Sequence, residues 1–150
     1  MPSTSFVKQK KVGRWFEDLL DPVLIEMGFK VYDSDHLRYQ DKKGWDKELE
    51  IKGVRSKVEI KYDAMSEQTG NVFIDLDSIR KSIAAIWIIG LPQGSKIHVY
   101  ATFLSDLAPY SESYPIKRSG GEFGLSGALI PKYIFIALPF VKKFKTIQIN

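Results

Sequence analysis

Apolar side chains at Val12, Trp15, Phe16, Leu19, Leu20, Val23, Leu24 and Met27 recur at the spacing of one helix face, which predicts an amphipathic first helix. Pro22 falls inside it and is expected to kink or restart it, because proline lacks the N–H that would bond one turn back. Gly28 is placed to end the helix as a C-cap, and Phe29-Lys30-Val31-Tyr32 begins a strand. The period then changes. Asp46 to Lys52 and Lys57 to Asp63 both alternate polar and apolar, and with Gly53–Ser56 as a turn they predict a hairpin. Ala64 to Gly70 is expected to be a loop, followed by a strand-like run, Asn71 to Asp77.

Asp77-Ser78 offers an N-cap for a short helix over Ile79–Ala85. Ile86 to Leu91 is apolar at every position, the mark of a strand covered on both faces. Lys96 to Phe103 alternates and adds another strand. Helix, three or four strands, helix, strand, strand is the order of an α/β sheet sandwich. Beyond Ala108 the pattern weakens: Gly120, Gly121, Gly124 and Gly127 make a glycine-rich loop, and residues 132–141 fit strand or helix.

At 150 residues without an internal repeat, the chain is expected to form one domain over residues 1–150 with a core of its own. There is no cysteine, which removes disulfides and thiolate-held zinc and fits a reducing compartment, the cytoplasm. The N-terminal stretch lacks the apolar run of a secretory signal. The segments AAIWIIGL and YIFIALPFV fall short of the roughly 20 residues a spanning helix needs, so a soluble protein without a membrane partner is expected. The net charge is +4, and all of the excess lies in residues 92–150, with seven basic and three acidic side chains. No acid follows Glu122, whereas Lys132, Lys142, Lys143 and Lys145 do; a basic edge suits a polyanion.

Residues two apart on a strand share a face. Glu59, Lys61 and Asp63 therefore project together, with Val58, Ile60 and Tyr62 toward the core, and Asp46, Glu48 and Glu50 share a face on the preceding strand. Carboxylates grouped around one lysine suit a hard divalent cation, which takes oxygen ligands and usually only one or two carboxylates. Such an ion polarises a phosphoryl oxygen and lowers the pKa of water. Glu-x-Lys on a strand also arises simply as a solvated face, and Glu50-Ile51-Lys52 is the same triplet. No G-x-x-x-x-G-K-S/T loop and no G-x-G-x-x-G is present, which points away from nucleotide cofactors. His36 and His98 are the only histidines and are expected at the surface. Gln68, Thr69 and nearby amides would suit a phosphate, although Thr69-Gly70-Asn71 is first of all turn chemistry. Tyr110, Tyr114 and Phe123 near Lys117 and Arg118 form either loop packing or a stacking platform for bases.

An acid, Asp46, thirteen residues before Glu59-Ile60-Lys61 across a hairpin resembles the D…E-x-K core of the PD-(D/E)XK nuclease superfamily. Gly13-Arg14-Trp15-Phe16-Glu17 resembles the G-x-x-x-E of its first helix, with Trp45 standing where proline usually precedes the acid. Tyr62-Asp63-Ala64-Met65-Ser66, residues 69–75, Ser78–Ser82, Ala85-Ile86-Trp87 and Leu129-Ile130-Pro131 resemble a subgroup of small phage- and virus-type endonucleases. The resemblance implies a restriction-endonuclease-like mixed β-sheet flanked by helices. It also implies magnesium or manganese as cofactor, DNA as partner and, if viral, a host-cytoplasm location. Asp46 and Glu59 would be metal ligands with the Ile60 carbonyl as a third. Lys61 would be the catalytic lysine, and Glu17 would lie near the metal or its water. Two rivals share these residues: a non-catalytic nucleic-acid-binding module, and a Holliday junction resolvase, which needs a homodimer for two symmetric cuts.

Overall fold

The computed structural model describes residues 2–33, 46–118 and 126–149, with side chains described from residue 11 and not at 33 or 116–118. Trp45, His36 and Phe123 lie outside the described residues, and so do the Lys117 and Arg118 side chains. The chain runs α1 (Pro2–Glu26), β1 (Lys30–Asp33), β2 (Lys47–Ile51), β3 (Val54–Tyr62), α2 (Ser66–Thr69), β4 (Asn71–Asp75) and α3 (Leu76–Lys81). It continues through β5 (Ile86–Gln93), β6 (Lys96–Phe103), α4 (Leu104–Ser113), β7 (Ile116–Arg118), β8 (Ser126–Pro131), α5 (Lys132–Phe135) and β9 (Lys142–Gln148).

The result is a mixed α/β architecture. Six strands in the order β1-β2-β3-β5-β6-β9 form one sheet, and β4-β8-β7 form a second. Only the β3–β5 pair is parallel. A parallel neighbour needs a crossover, and α2, β4 and α3 supply it.

Alternation along the strands divides the core in two. Val58 and Ile60 of β3, Ile88 of β5 and Ile97 and Val99 of β6 meet Phe16, Leu20 and Leu24 of α1. Trp87, Ile89 and Leu91 of β5 and Tyr100 of β6 face the other way, against β4, β8, α3, α4 and α5. β5 is therefore covered on both faces, as its apolar run predicts. Gly90 faces the Phe16 ring of α1: a Cβ there would lie 2.5 Å from Phe16 Cζ. A larger residue would lift the helix that carries Glu17.

Several local expectations change. The first helix starts at Pro2 and continues through Pro22 without a restart; Pro22 sits on the exposed side, where the carbonyl its missing N–H leaves unbonded is open to solvent. Gly28 does end it: its φ is +100° and the Phe29 N–H donates to Leu24 O. The hairpin turn is tighter than Gly53–Ser56. It is Lys52-Gly53, with φ of +52° and +80°, the mirror-image two-residue turn whose twist matches antiparallel strands. β3 consequently begins at Val54. The Asn71–Asp77 run stops at Asp75, which caps α3 by accepting from Asp77 N–H and Ser78 Oγ. That helix spans Leu76–Lys81 rather than Ile79–Ala85. Residues 66–69 form a helical turn inside the expected loop. Residues 132–141 begin as a helical turn, and the lysine-rich tail is the edge strand β9. No helix among the described residues is long and apolar enough to cross a membrane.

Candidate functional site

At one end of the β2–β3 hairpin the main chain hands over to a side chain. Asp46 N–H donates to Val58 O at 2.8 Å. The next bond is made by Asp46 Oδ2, which accepts from Ile60 N–H at 2.8 Å. A residue that bonds one neighbouring strand directs both its N–H and its C=O that way, so the Ile60 carbonyl faces the side on which Asp46 lies. Lys47 pairs with Val58, which places Asp46 beside Glu59 on the adjoining strand, their carboxyl groups within hydrogen-bonding reach of each other.

Glu59 and Lys61 point to the face opposite α1. Lys61 Nζ lies 3.4 Å from Glu59 Oε2 and 5.4 Å from the centre of the Trp87 ring. The Glu59 side chain is 14% exposed and that of Lys61 39%, so the carboxylate is held inside while the ammonium reaches water.

Burial, then repulsion from Asp46, pushes the Glu59 pKa up to about 7, against the pull of Lys61. Burial likewise raises Asp46, opposed by the Ile60 N–H and by Lys61 and Lys47. Two carboxyls this close titrate as a pair. Glu17 joins them from α1. Burial and the charge on Asp46 push it up to about 7 as well, against Lys47 and Arg14. Glu17 is thus coupled to Asp46, and Asp46 in turn to Glu59 and Lys61, while its neighbour on α1, Phe16, is fully buried against the sheet.

Lys47 and Asp21 belong to this neighbourhood, and the sequence did not reveal them. Lys47 is 3% exposed. Its Nζ lies 3.2 Å from Asp21 Oδ1 and 3.7 Å from Glu17 Oε1. Glu17 and Asp21 are one helical turn apart, where like charges repel, and Lys47 serves both. The signal was there: two acids stacked beside the apolar stripe of a helix require a cation.

Glu48 and Glu50 take another partner. Arg55 contacts Glu48 Oε1 at 2.6 Å and Glu50 Oε1 at 4.0 Å, and lies over the Tyr32 ring. Asp63, on the Glu59–Lys61 face, is structural: Oδ2 accepts from Phe73 N–H at 2.9 Å and its backbone carbonyl from Ser66. Thr69 is exposed, and its hydroxyl closes the turn, donating to Met65 O and accepting from Asn71 N–H. Of the aromatic platform, Tyr110 lies on α4 and Tyr114 caps it, with rings 5.4 Å apart and Tyr110 5.8 Å from Phe140, packed against the core; Phe123 and the Lys117 and Arg118 side chains fall outside the described residues. Lys81 pairs with Asp77 one turn away at 3.0 Å.

Among the described residues no group of three or more His, Asp or Glu side chains is arranged to hold a metal ion. A pair is present, Asp46 and Glu59, both raised first of all by burial, with Lys61 opposing the rise in each. Magnesium commonly uses one or two carboxylates and completes its shell with water and substrate oxygens, so this donor set fits it. Comparison with family models, curated proteins and solved structures gave no match.

Proposed function

We propose that the chain is a divalent-metal-dependent DNA endonuclease on a restriction-endonuclease-like fold. The observation that carries this reading is the Asp46–Glu59 pair, side by side and largely buried, with the Lys61 ammonium 3.4 Å from Glu59 on the same strand face. Burial of two adjoining carboxyl groups favours their neutral forms unless a cation is bound beside them. Asp46 and Glu59, with the Ile60 carbonyl, would hold magnesium or manganese. When bound, the ion supplies Lewis-acid polarisation of a phosphoryl oxygen and a more acidic water.

The remaining work falls to side chains. Lys61, half in water, meets the negative charge that grows on the phosphate oxygens during attack. Glu17, poised near neutrality, orients the attacking water and accepts its proton. Trp87 under the Lys61 ammonium limits where that ammonium can go. A protein without cysteine fits work in a reducing cytoplasm, a host's if the source is viral.

The test is circular single-stranded and supercoiled DNA mixed with protein and magnesium, manganese or chelator, beside Glu59→Ala and Lys61→Ala. Metal-dependent cutting by the wild type, lost in both variants, is expected. Intact binding without cutting of either DNA would move the assignment to a non-catalytic binding module.

A further inference from the structure

The β6–β9 edge carries charge of a different kind. Lys96 and His98 lie on one face of β6, and Lys143 on β9 pairs with Tyr100 of that same face. Lys132, from the start of α5, arrives there by a separate route, anchored by its backbone N–H on Gly70 O. Three elements thus bring three lysines within electrostatic range of one imidazole. Their convergence is felt by His98, whose pKa is lowered by burial and then by Lys143, Lys132 and Lys96. Its ring is held on both sides, Nε2 by Gln93 at 2.9 Å and Nδ1 by Thr146 at 3.3 Å. None of the three lysines has an ion-pair partner among the described residues, whereas Lys47, Arg55, Lys61, Arg80 and Lys81 all have. Glu67, the acid nearest the β5–β6 turn, is occupied by Gly94 N–H. Next to Lys132, Tyr133 is 73% exposed.

Lysines on an edge strand also serve to prevent strand-to-strand aggregation. That accounts for Lys143 alone, since Lys96 is on an inner strand and Lys132 on no strand of this sheet. Three lysines fall short of the clusters of about 4–8 that recognition of an anionic bilayer generally uses. A nucleic acid uses the same charges together with a stacking ring such as Tyr133.

We infer that Lys96, Lys132 and Lys143, with Tyr133 at their margin, form a phosphate-backbone contact surface that holds nucleic acid beside the candidate site. This deepens the nuclease reading and rests on it for the identity of the polyanion. β6 and β9 lie two and three strands from β3. Lys143 pairs with Tyr100, which is in register with Lys61 through Ile89, whereas Lys96 pairs with Gln93, four residues further along β5. At about 4.8 Å per strand and about 3.3 Å per residue, Lys143 is about 14 Å and Lys96 about 16 Å from Lys61, roughly four or five nucleotides of a duplex strand.

The experiment measures binding to a labelled duplex and a labelled single strand by fluorescence anisotropy, in chelator so that nothing is cut, over a salt series. The proteins are wild type, the triple variant Lys96→Gln/Lys132→Gln/Lys143→Gln, Lys143→Glu alone, and Lys30→Gln as a surface control. The triple variant is expected to lose at least about tenfold in affinity, and its salt slope should fall by about 2–3 for duplex. Lys143→Glu should weaken binding in the same direction should the triple variant fail to fold, and Lys30→Gln should change neither quantity. An unchanged slope and affinity in a folded triple variant overturns the inference. So does wild-type protein that binds phosphatidylserine vesicles and no nucleic acid. A reduced slope in a protein that cuts no DNA with any metal keeps the surface and removes the nuclease.

Discussion

Two regions of this molecule hold lysines in opposite ways. Around α1, β2 and β3, Lys47 and Lys61 are locked among Glu17, Asp21, Asp46 and Glu59, with Lys47 almost fully buried. At β6, α5 and β9, Lys96, Lys132 and Lys143 have no acid partner among the described residues. Charge in the first region is committed to geometry: burial makes each contact strong and each loss costly. Charge in the second region is available to a visitor, and salt screens it within about 10 Å. A phosphodiester would be drawn by the second region and oriented by the first.

The sharpest way to break the comparison is to remove Lys47. Lys47→Met keeps the length of the side chain but leaves Glu17 and Asp21 facing each other without their shared cation, each about a quarter exposed. Breaking a fully buried pair costs about 3–5 kcal/mol; with the acids partly in water, a loss of about 2–3 kcal/mol is expected, which chemical denaturation would read directly. A loss below about 1 kcal/mol would mean that Lys47 is solvated and the two regions do not differ as described.

Lys61→Ala tests the same region through rate. Losing one preorganised positive group facing a developing oxyanion typically costs about 10²–10³ in turnover. Single-turnover cleavage should show that loss with DNA affinity little changed, because affinity is assigned to the other region. A matching loss of affinity would merge the two.

Gly90→Ala acts from below. The new methyl meets the Phe16 ring, and overpacking of this kind costs about 1–3 kcal/mol. Because the displaced helix carries Glu17, cleavage should fall along with stability, whereas the lysine surface should keep its salt slope.

The raised acids give a pH signature. Folding lifts Glu17 and Glu59 from 4.5 to about 7, so the folded state keeps protons that the unfolded state has released. Their favourable contribution is complete below about pH 4.5 and is lost as pH rises through about 7. A divalent ion between the ionised carboxylates would restore it. Magnesium should therefore raise Tm more at about pH 8 than at about pH 5.5. A site occupied to roughly ten times its dissociation constant gives about 1.4 kcal/mol, a few degrees for a chain of this size. Glu59→Gln should abolish the difference, and equal shifts at both pH values would leave the carboxylate pair without an ion.

How legible this was depends on range. The hairpin, with Asp46, Glu59 and Lys61, could be read because alternation and a tight turn are local. β5 could be read because an apolar run needs no partner to be recognised. Lys47 could not: in Asp46-Lys47-Glu48 it looks like one more solvated charge. Its burial comes from α1, whose Asp21 is 26 residues away in sequence. That α1 would run on through Pro22 rather than restart could not be read, because it depends on which side of the helix the proline faces. β9 was hidden by its lysines, since three in seven residues resemble a tail until β6 is there to pair with them. The placement of β4 in a second sheet is likewise long-range, fixed by β8 some 55 residues later.

The smallest expected effect is also the most discriminating. Lys143 is exposed and touches no acid among the described residues, so Lys143→Gln should change unfolding stability by no more than about 0.5 kcal/mol. Removing it even relieves repulsion with Lys132 and Lys96 around His98, so the His98 pKa should rise toward its usual 6.5, an NMR titration being the direct measurement. Stability unchanged, imidazole pKa raised and DNA affinity lowered is the signature of a charge held for something outside the fold. A clear loss of stability with affinity unchanged would instead make Lys143 part of the scaffold, and the contrast with Lys47 would disappear.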